Sequence, residues 1–134
     1  MSGFALRKIL GVSRLDQPVP DRPIDLVHLS RQSLGDRALE KELLQLFDRQ
    51  AEQIVARLGS EIGLGDRKWR RDLSHTLCGS ARAVGALRVA QTASLYEEAL
   101  FSSASDRELI VLRDCMAEEV ASARRSIREL LTEG

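Results

Sequence analysis

Apolar positions along the chain recur at threes and fours, the spacing of one face of an α-helix. Leu26, Leu29 and Leu34 give a short first stretch that Asp25 can cap and Gly35 can stop. Asp36 opens a longer one over 37–61, with Leu39, Leu43, Leu46, Phe47, Gln50, Ile54, Leu58 and Ile62 on its inner side. Gly63-Leu64-Gly65-Asp66 is a turn with Asp66 as the next cap. The helix predicted at 67–84 has Leu73, Leu77, Ser80 and Val84 on one side and Trp69 at its edge. Ser80 is expected to face inward and bond a carbonyl one turn back. After Gly85 a further helix carries Val89, Ala90, Ala93, Tyr96 and Leu100 inward. Ser105-Asp106-Arg107-Glu108 has the form of a capping box, and it opens a last helix over 106–131. Leu109, Leu112, Val120, Ala123, Ile127, Leu130 and Leu131 are candidates for its buried face, with Cys115 and Met116 expected to pack along it. No β-branched alternation or hairpin turn signals a strand.

Four long helical patterns joined by short turns predict an all-α fold, an antiparallel up-down-up-down four-helix bundle with a short N-terminal helix in front. Residues 23–134 form that domain. Gln17-Pro18-Val19-Pro20-Asp21-Arg22-Pro23 interrupts any helix. Residues 1–22 read as a loosely ordered, flexible arm, with docking through Phe4 and Leu6 as the other reading.

Composition narrows the functional classes. Twenty basic residues balance twenty acidic ones, so recognition of nucleic acid or an anionic membrane finds no support in overall charge. No apolar run has the ~20 residues of a membrane span. Cys78 and Cys115 lack CxxC or zinc spacing and read as two reduced thiols of a cytoplasmic protein. Gly63-x-Gly65 follows no strand, and there is no P-loop or acidic magnesium cluster. No metal site is expected, and His28, with no second ligand at i+4, is given no function.

One residue stands out against this background. His75 falls nearly opposite Leu73, Leu77 and Val84 on its helix, so it should face solvent. Lys68, Arg71 and Arg82, at i−7, i−4 and i+7, lie within roughly 40° of its direction. The stripe can steer an acidic partner or neutralise an anion, and a solvated basic face is the blander alternative. Gly79 at i+4 lies beside His75, and a glycine inside a helix costs about 1 kcal/mol against alanine. Access to the imidazole for a partner's loop would explain it. An outward imidazole among cations on a rigid helix suits chemistry with an anion.

His75-x-Leu77-x-Gly79-Ser80-Ala81-x-x-Val84-Gly85-Ala86, followed by Val89, Ala93, Tyr96 and Glu97, resembles the histidine-containing phosphotransfer (HPt) domain family. The likeness reaches Leu34-Gly35-Asp36 and the Leu43…Leu46-Phe47 face, and covers residues 25–131. It implies that His75 is the phosphoacceptor of a two-component phosphorelay, modified on Nε2. The phosphoryl group would come from a receiver aspartate or a hybrid histidine kinase and pass to another receiver. The chain would be a stand-alone, monomeric phosphocarrier and not an enzyme, needing no cofactor because Mg²⁺ belongs to the partner receiver. Lys68, Arg71, Cys78, Gly79 and Arg82 would face the phosphate or the partner. The family usually has lysine where this chain has Cys78, an expected exposed thiol, and Arg82 or Arg71 could supply the missing charge. The alternatives are a module that docks receivers without being phosphorylated, a receiver phosphatase in which His75 orients water, and a purely structural helical adaptor.

Overall fold

The computed structural model describes residues 22–60 and 66–133. The proposed arm, residues 1–22, lies outside them except for Arg22, and so does Ile62. Among the described residues there are five helices and no strand: α1 (Leu26–Ser33), α2 (Arg37–Leu58), α3 (Arg67–Val84), α4 (Leu87–Phe101) and α5 (Asp106–Glu133).

The helix starts follow from four side chains. The Asp25 carboxylate accepts from the backbone N–H groups of Val27 and His28, each at 3.1 Å. Asp36 accepts from Leu39 N–H at 3.2 Å and Asp66 from Trp69 N–H at 3.0 Å. Ser105 Oγ accepts from Glu108 N–H at 3.2 Å, the serine half of the predicted capping box. Each satisfies a donor that the first helical turn leaves without a partner, typically worth about 1 kcal/mol.

The ends are set by backbone geometry. Gly85 closes α3 at φ +80°, and a Cβ there would lie 2.6 Å from the Asp25 carbonyl oxygen. That close approach is used: Asp25 N–H donates to Gly85 O at 2.8 Å, tying the start of α1 to the α3–α4 turn. At the other end of α3, Arg67 donates to the carbonyls of Leu100, Ser102 and Ala104, which finishes α4 and holds the turn into α5.

Around the bundle, α2 packs on α3, α3 on α4, α4 on α5 and α5 back on α2, while α1 lies against α2 and α3. This closed ring is the expected four-helix core with a short leading helix. Arg88 of α4 pairs with Glu119 of α5 at 2.9 Å. Arg124 of α5 reaches Asp48 and Glu52 of α2 at 2.8 and 2.9 Å. The predicted inward residues of α4 are all buried, and so are Leu109, Leu112, Cys115, Met116, Val120, Ala123 and Ile127 of α5.

Three expectations about helix faces need correction. In α1, Leu29 is buried, but Leu26 is exposed and Leu34, the αL residue after the helix, is 92% exposed. In α2, which ends at Leu58 and not 61, the buried stripe is Leu44, Phe47, Ala51, Ile54 and Leu58, while Leu39 and Leu46 are exposed. The doublets Leu43-Leu44 and Leu46-Phe47 allow two stripes one residue apart, about 100° round the helix, and the core takes the one that includes Leu44.

In α3 the buried side is Arg70, Ser74, Leu77, Cys78, Ala81 and Val84, turned about 60° from the predicted face. Leu73 and Ser80 sit at its margin, half-buried. The serine that bonds a carbonyl one turn back is Ser74, whose Oγ donates to Arg70 O at 2.8 Å. The rotation has a cause. Arg70 is fully buried, donating to Leu58 O at 2.9 Å, to Ser60 O at 3.0 Å and to the Tyr96 hydroxyl at 2.8 Å. An arginine serving as an internal staple draws the helix face toward itself.

Candidate functional site

His75 lies at the middle of α3, and its side chain is 80% exposed. The rotation of α3 leaves it about 130° from the centre of the buried face, still outside the core. Across the helix pair, His75 Nδ1 is 3.2 Å from Glu97 Oε2 and 3.4 Å from Oε1. A carboxylate only accepts, so this bond calls for a proton on Nδ1, and in the neutral ring the lone pair is then on Nε2. The tight Gly85-Ala86 turn sets the pairing. It makes α3 and α4 antiparallel, so that four residues back from His75 meets four residues on from Glu97. There Arg71 lies over the Phe101 ring, 4.1 Å from its centroid.

These two rungs border a shallow cleft of about 390 Å³ lined by Lys68, Arg71, Asp72, His75, Thr76, Glu97 and Phe101. Two cations and two carboxylates share it with the imidazole, so it is mixed in charge and not a uniform basic stripe. Cations here can pair with phosphoryl oxygens, and the glutamate fixes the ring.

The predicted site residues divide on inspection. Lys68, Arg71 and His75 come together in the cleft. Gly79 is exposed, and a Cβ built there meets nothing within 4 Å, so close helix packing does not account for the glycine. Arg82 is exposed, but it is not among the cleft residues. Its carbonyl oxygen is bonded by His28 Nε2, which gives that histidine a structural contact between α1 and α3.

Cys78 is the clear correction: it is 5% exposed, on the core side of α3. Burial pushes its thiol above the ordinary value near 9, with the positive charge of Arg82 opposing and Glu97 adding to the rise. A protonated thiol turned into the core is not the exposed group expected beside a phosphate. Cys115 is likewise buried and raised, chiefly by desolvation.

A family model for the Hpt domain matches residues 42–133, more than half of the chain. The chain belongs to the Hpt domain family. No curated protein and no solved structure matches it. Hpt domains are phosphocarrier modules of two-component phosphorelays and interact with receiver domains. The matched span includes α3 and α4 whole, and with them both rungs of the cleft. Among the described residues no helix is long and apolar enough to cross a membrane, and no group of three or more His, Cys, Asp or Glu is placed to hold a metal ion.

Glu97, Asp72, Thr76 and Phe101 were not among the residues singled out for the site from sequence. Glu97 is visible there as part of the family pattern. Its position opposite His75 could be read from the turn, since the two residues are nearly equidistant from Gly85-Ala86. Nothing comparable marks Phe101, which looks like one more apolar residue at a helix end.

Proposed function

We propose that this Hpt domain is a phosphorelay intermediate in which His75 takes a phosphoryl group from a receiver aspartyl phosphate and passes it to another receiver aspartate. The observation that carries the reading is the exposed imidazole with Nδ1 held by Glu97, which leaves Nε2 as a solvent-facing nucleophile. In the step, the Nε2 lone pair attacks phosphorus, an N–P bond forms, and the mixed-anhydride O–P bond breaks. The receiver carboxylate leaves with that electron pair. The proton on Nδ1 stays in its bond to Glu97, which stabilises the positive charge the ring acquires. Transfer to the next carboxylate reverses these events.

The chain brings positioning and charge. Mg²⁺ and the remaining catalytic groups belong to the receiver, so the Hpt domain acts as a monomeric, cofactor-free, cytoplasmic carrier and not as an enzyme. Lys68 and Arg71 face the phosphoryl group, Gly79 leaves room for the receiver's loops beside the imidazole, and Arg82 lies farther along the docking face. A carrier passing phosphate between a hybrid kinase and a regulator is the arrangement this fits.

Incubation with a phosphorylated receiver, followed by a phosphate-affinity gel, tests the reading. Wild type should take up acid-labile phosphate and His75→Gln should not. The alternative that the domain docks receivers without accepting phosphate draws on the missing lysine at position 78. It would be favoured by retained receiver binding with no transfer. Free phosphate released without a phosphohistidine would favour a receiver phosphatase.

A further inference from the structure

The cleft is lined by charged and polar side chains apart from Phe101. This phenylalanine ends α4 and is 68% exposed, so it adds little to the core. Its ring face lies under the Arg71 guanidinium. The register that sets Glu97 against His75 sets Phe101 against Arg71, one helical turn away. Each α4 residue therefore holds the functional group of its α3 neighbour, Glu97 by a hydrogen bond and Phe101 by its π-face.

The way Arg71 is held matters. A long side chain on a helix surface samples many rotamers, and an anion must order it before it can be used. A carboxylate partner would order the guanidinium but also neutralise it and occupy its N–H groups. A ring face orders it and leaves the charge and the in-plane donors available for phosphoryl oxygens.

We propose that Phe101 is a positioning residue that holds the Arg71 guanidinium beside His75, where Arg71 pairs with the phosphoryl group and supplies the charge that the buried Cys78 cannot. This rests on the reading of His75 as phosphoacceptor. Lys68 is exposed on the same cleft and has no such holder among its lining residues, so it takes the lesser part.

Phosphoramidate isolates the effect, because it phosphorylates histidine without a receiver. Nε2 attacks phosphorus, an N–P bond to His75 forms, and ammonia leaves with the electrons of the old P–N bond. The initial rate of phosphohistidine formation is followed by ³¹P NMR in wild type, Phe101→Ala, Phe101→Trp, Arg71→Ala and the Arg71→Ala/Phe101→Ala double variant. Phe101→Ala should slow the rate about two- to five-fold, the scale of one exposed cation–π contact. Phe101→Trp should restore it. In the Arg71→Ala background, Phe101→Ala should change nothing further, because the ring acts through Arg71. A wild-type rate in Phe101→Ala, or an undiminished effect without Arg71, overturns the proposal while leaving His75 as phosphoacceptor. A wild-type protein that takes no phosphate from phosphoramidate or from any receiver overturns both.

Discussion

Two rows of residues run side by side along α3, one residue apart in sequence. Arg70, Ser74 and Cys78 form the inner row and are all buried. Arg71, His75 and Gly79 form the outer row and border the cleft or lie exposed. Each pair is separated by about 100° of helix rotation. The residue types would not reveal which row is which, since the inner one holds an arginine, a serine and a thiol. The partners reveal it. Arg70 ends on two carbonyls near the end of α2 and the Tyr96 hydroxyl, so its donors serve the fold. Arg71 ends on a ring face, which engages the charge of the guanidinium and not its in-plane donors. Ser74 is satisfied by its own helix, whereas His75 is oriented by the next one. Arg70 and Ser74 are engaged within the fold, and Arg71 and His75 are each held from one side by α4.

Replacing members of each row separates the two roles. The largest effect belongs to Arg70→Ala. It leaves the carbonyls of Leu58 and Ser60 and the Tyr96 hydroxyl short of a donor and opens a void, so unfolding in urea should show a loss of about 3 kcal/mol or more. Arg71→Ala, one residue on, should change stability by no more than about 1 kcal/mol. Equal losses at the two positions would erase the distinction between the rows.

The inner row also predicts a pH dependence. The Cys78 thiol is raised in the folded protein relative to the unfolded chain, so the folded state holds its proton more tightly. Its contribution is fully present below the unfolded pKa of about 8.5–9 and is lost as pH rises through the folded value, at up to about 1.4 kcal/mol per pH unit. Urea melts between pH 7 and 10 should show stability falling above about pH 9, less steeply in Cys78→Ala. A thiol-specific reagent should label the native protein slowly and the urea-unfolded protein quickly.

Gly79→Ala should be stabilising by about 0.5–1 kcal/mol, because the methyl group enters open space and alanine is the better helix former. The same variant should slow phosphotransfer from a receiver, since the added group narrows the approach to the imidazole. A stabilised variant with unimpaired transfer would remove the access explanation for Gly79. His75→Gln should leave the melt within about 0.5 kcal/mol of wild type, as an exposed outer-row residue should.

Much of the fold was legible in the sequence. Asp25, Asp36, Asp66 and Ser105 mark helix starts that the structure keeps, and α3 runs over the predicted 67–84. Helix phase was harder. The Leu43-Leu44 and Leu46-Phe47 doublets fit two faces equally, and only packing selects between them. In α3, a face drawn through Leu73, Leu77, Ser80 and Val84 leaves Arg70 out and turns Cys78 outward, whereas the buried side includes both. An arginine buried on backbone carbonyls looks no different in sequence from one in water. His75 survived that error because it lies far from either version of the buried face. Glu97 and Phe101 needed the register of two helices, which a tight turn encodes but helical periodicity does not.

The most direct measurement is transfer from a phosphorylated receiver domain, resolved on a phosphate-affinity gel, in wild type and His75→Gln at matched stability. Wild type should gain one acid-labile phosphoryl group as the receiver loses its own, and His75→Gln should gain none. A wild-type protein that binds receivers yet never acquires phosphate, or a His75→Gln protein that acquires it as wild type does, would contradict the assignment of His75 as phosphoacceptor.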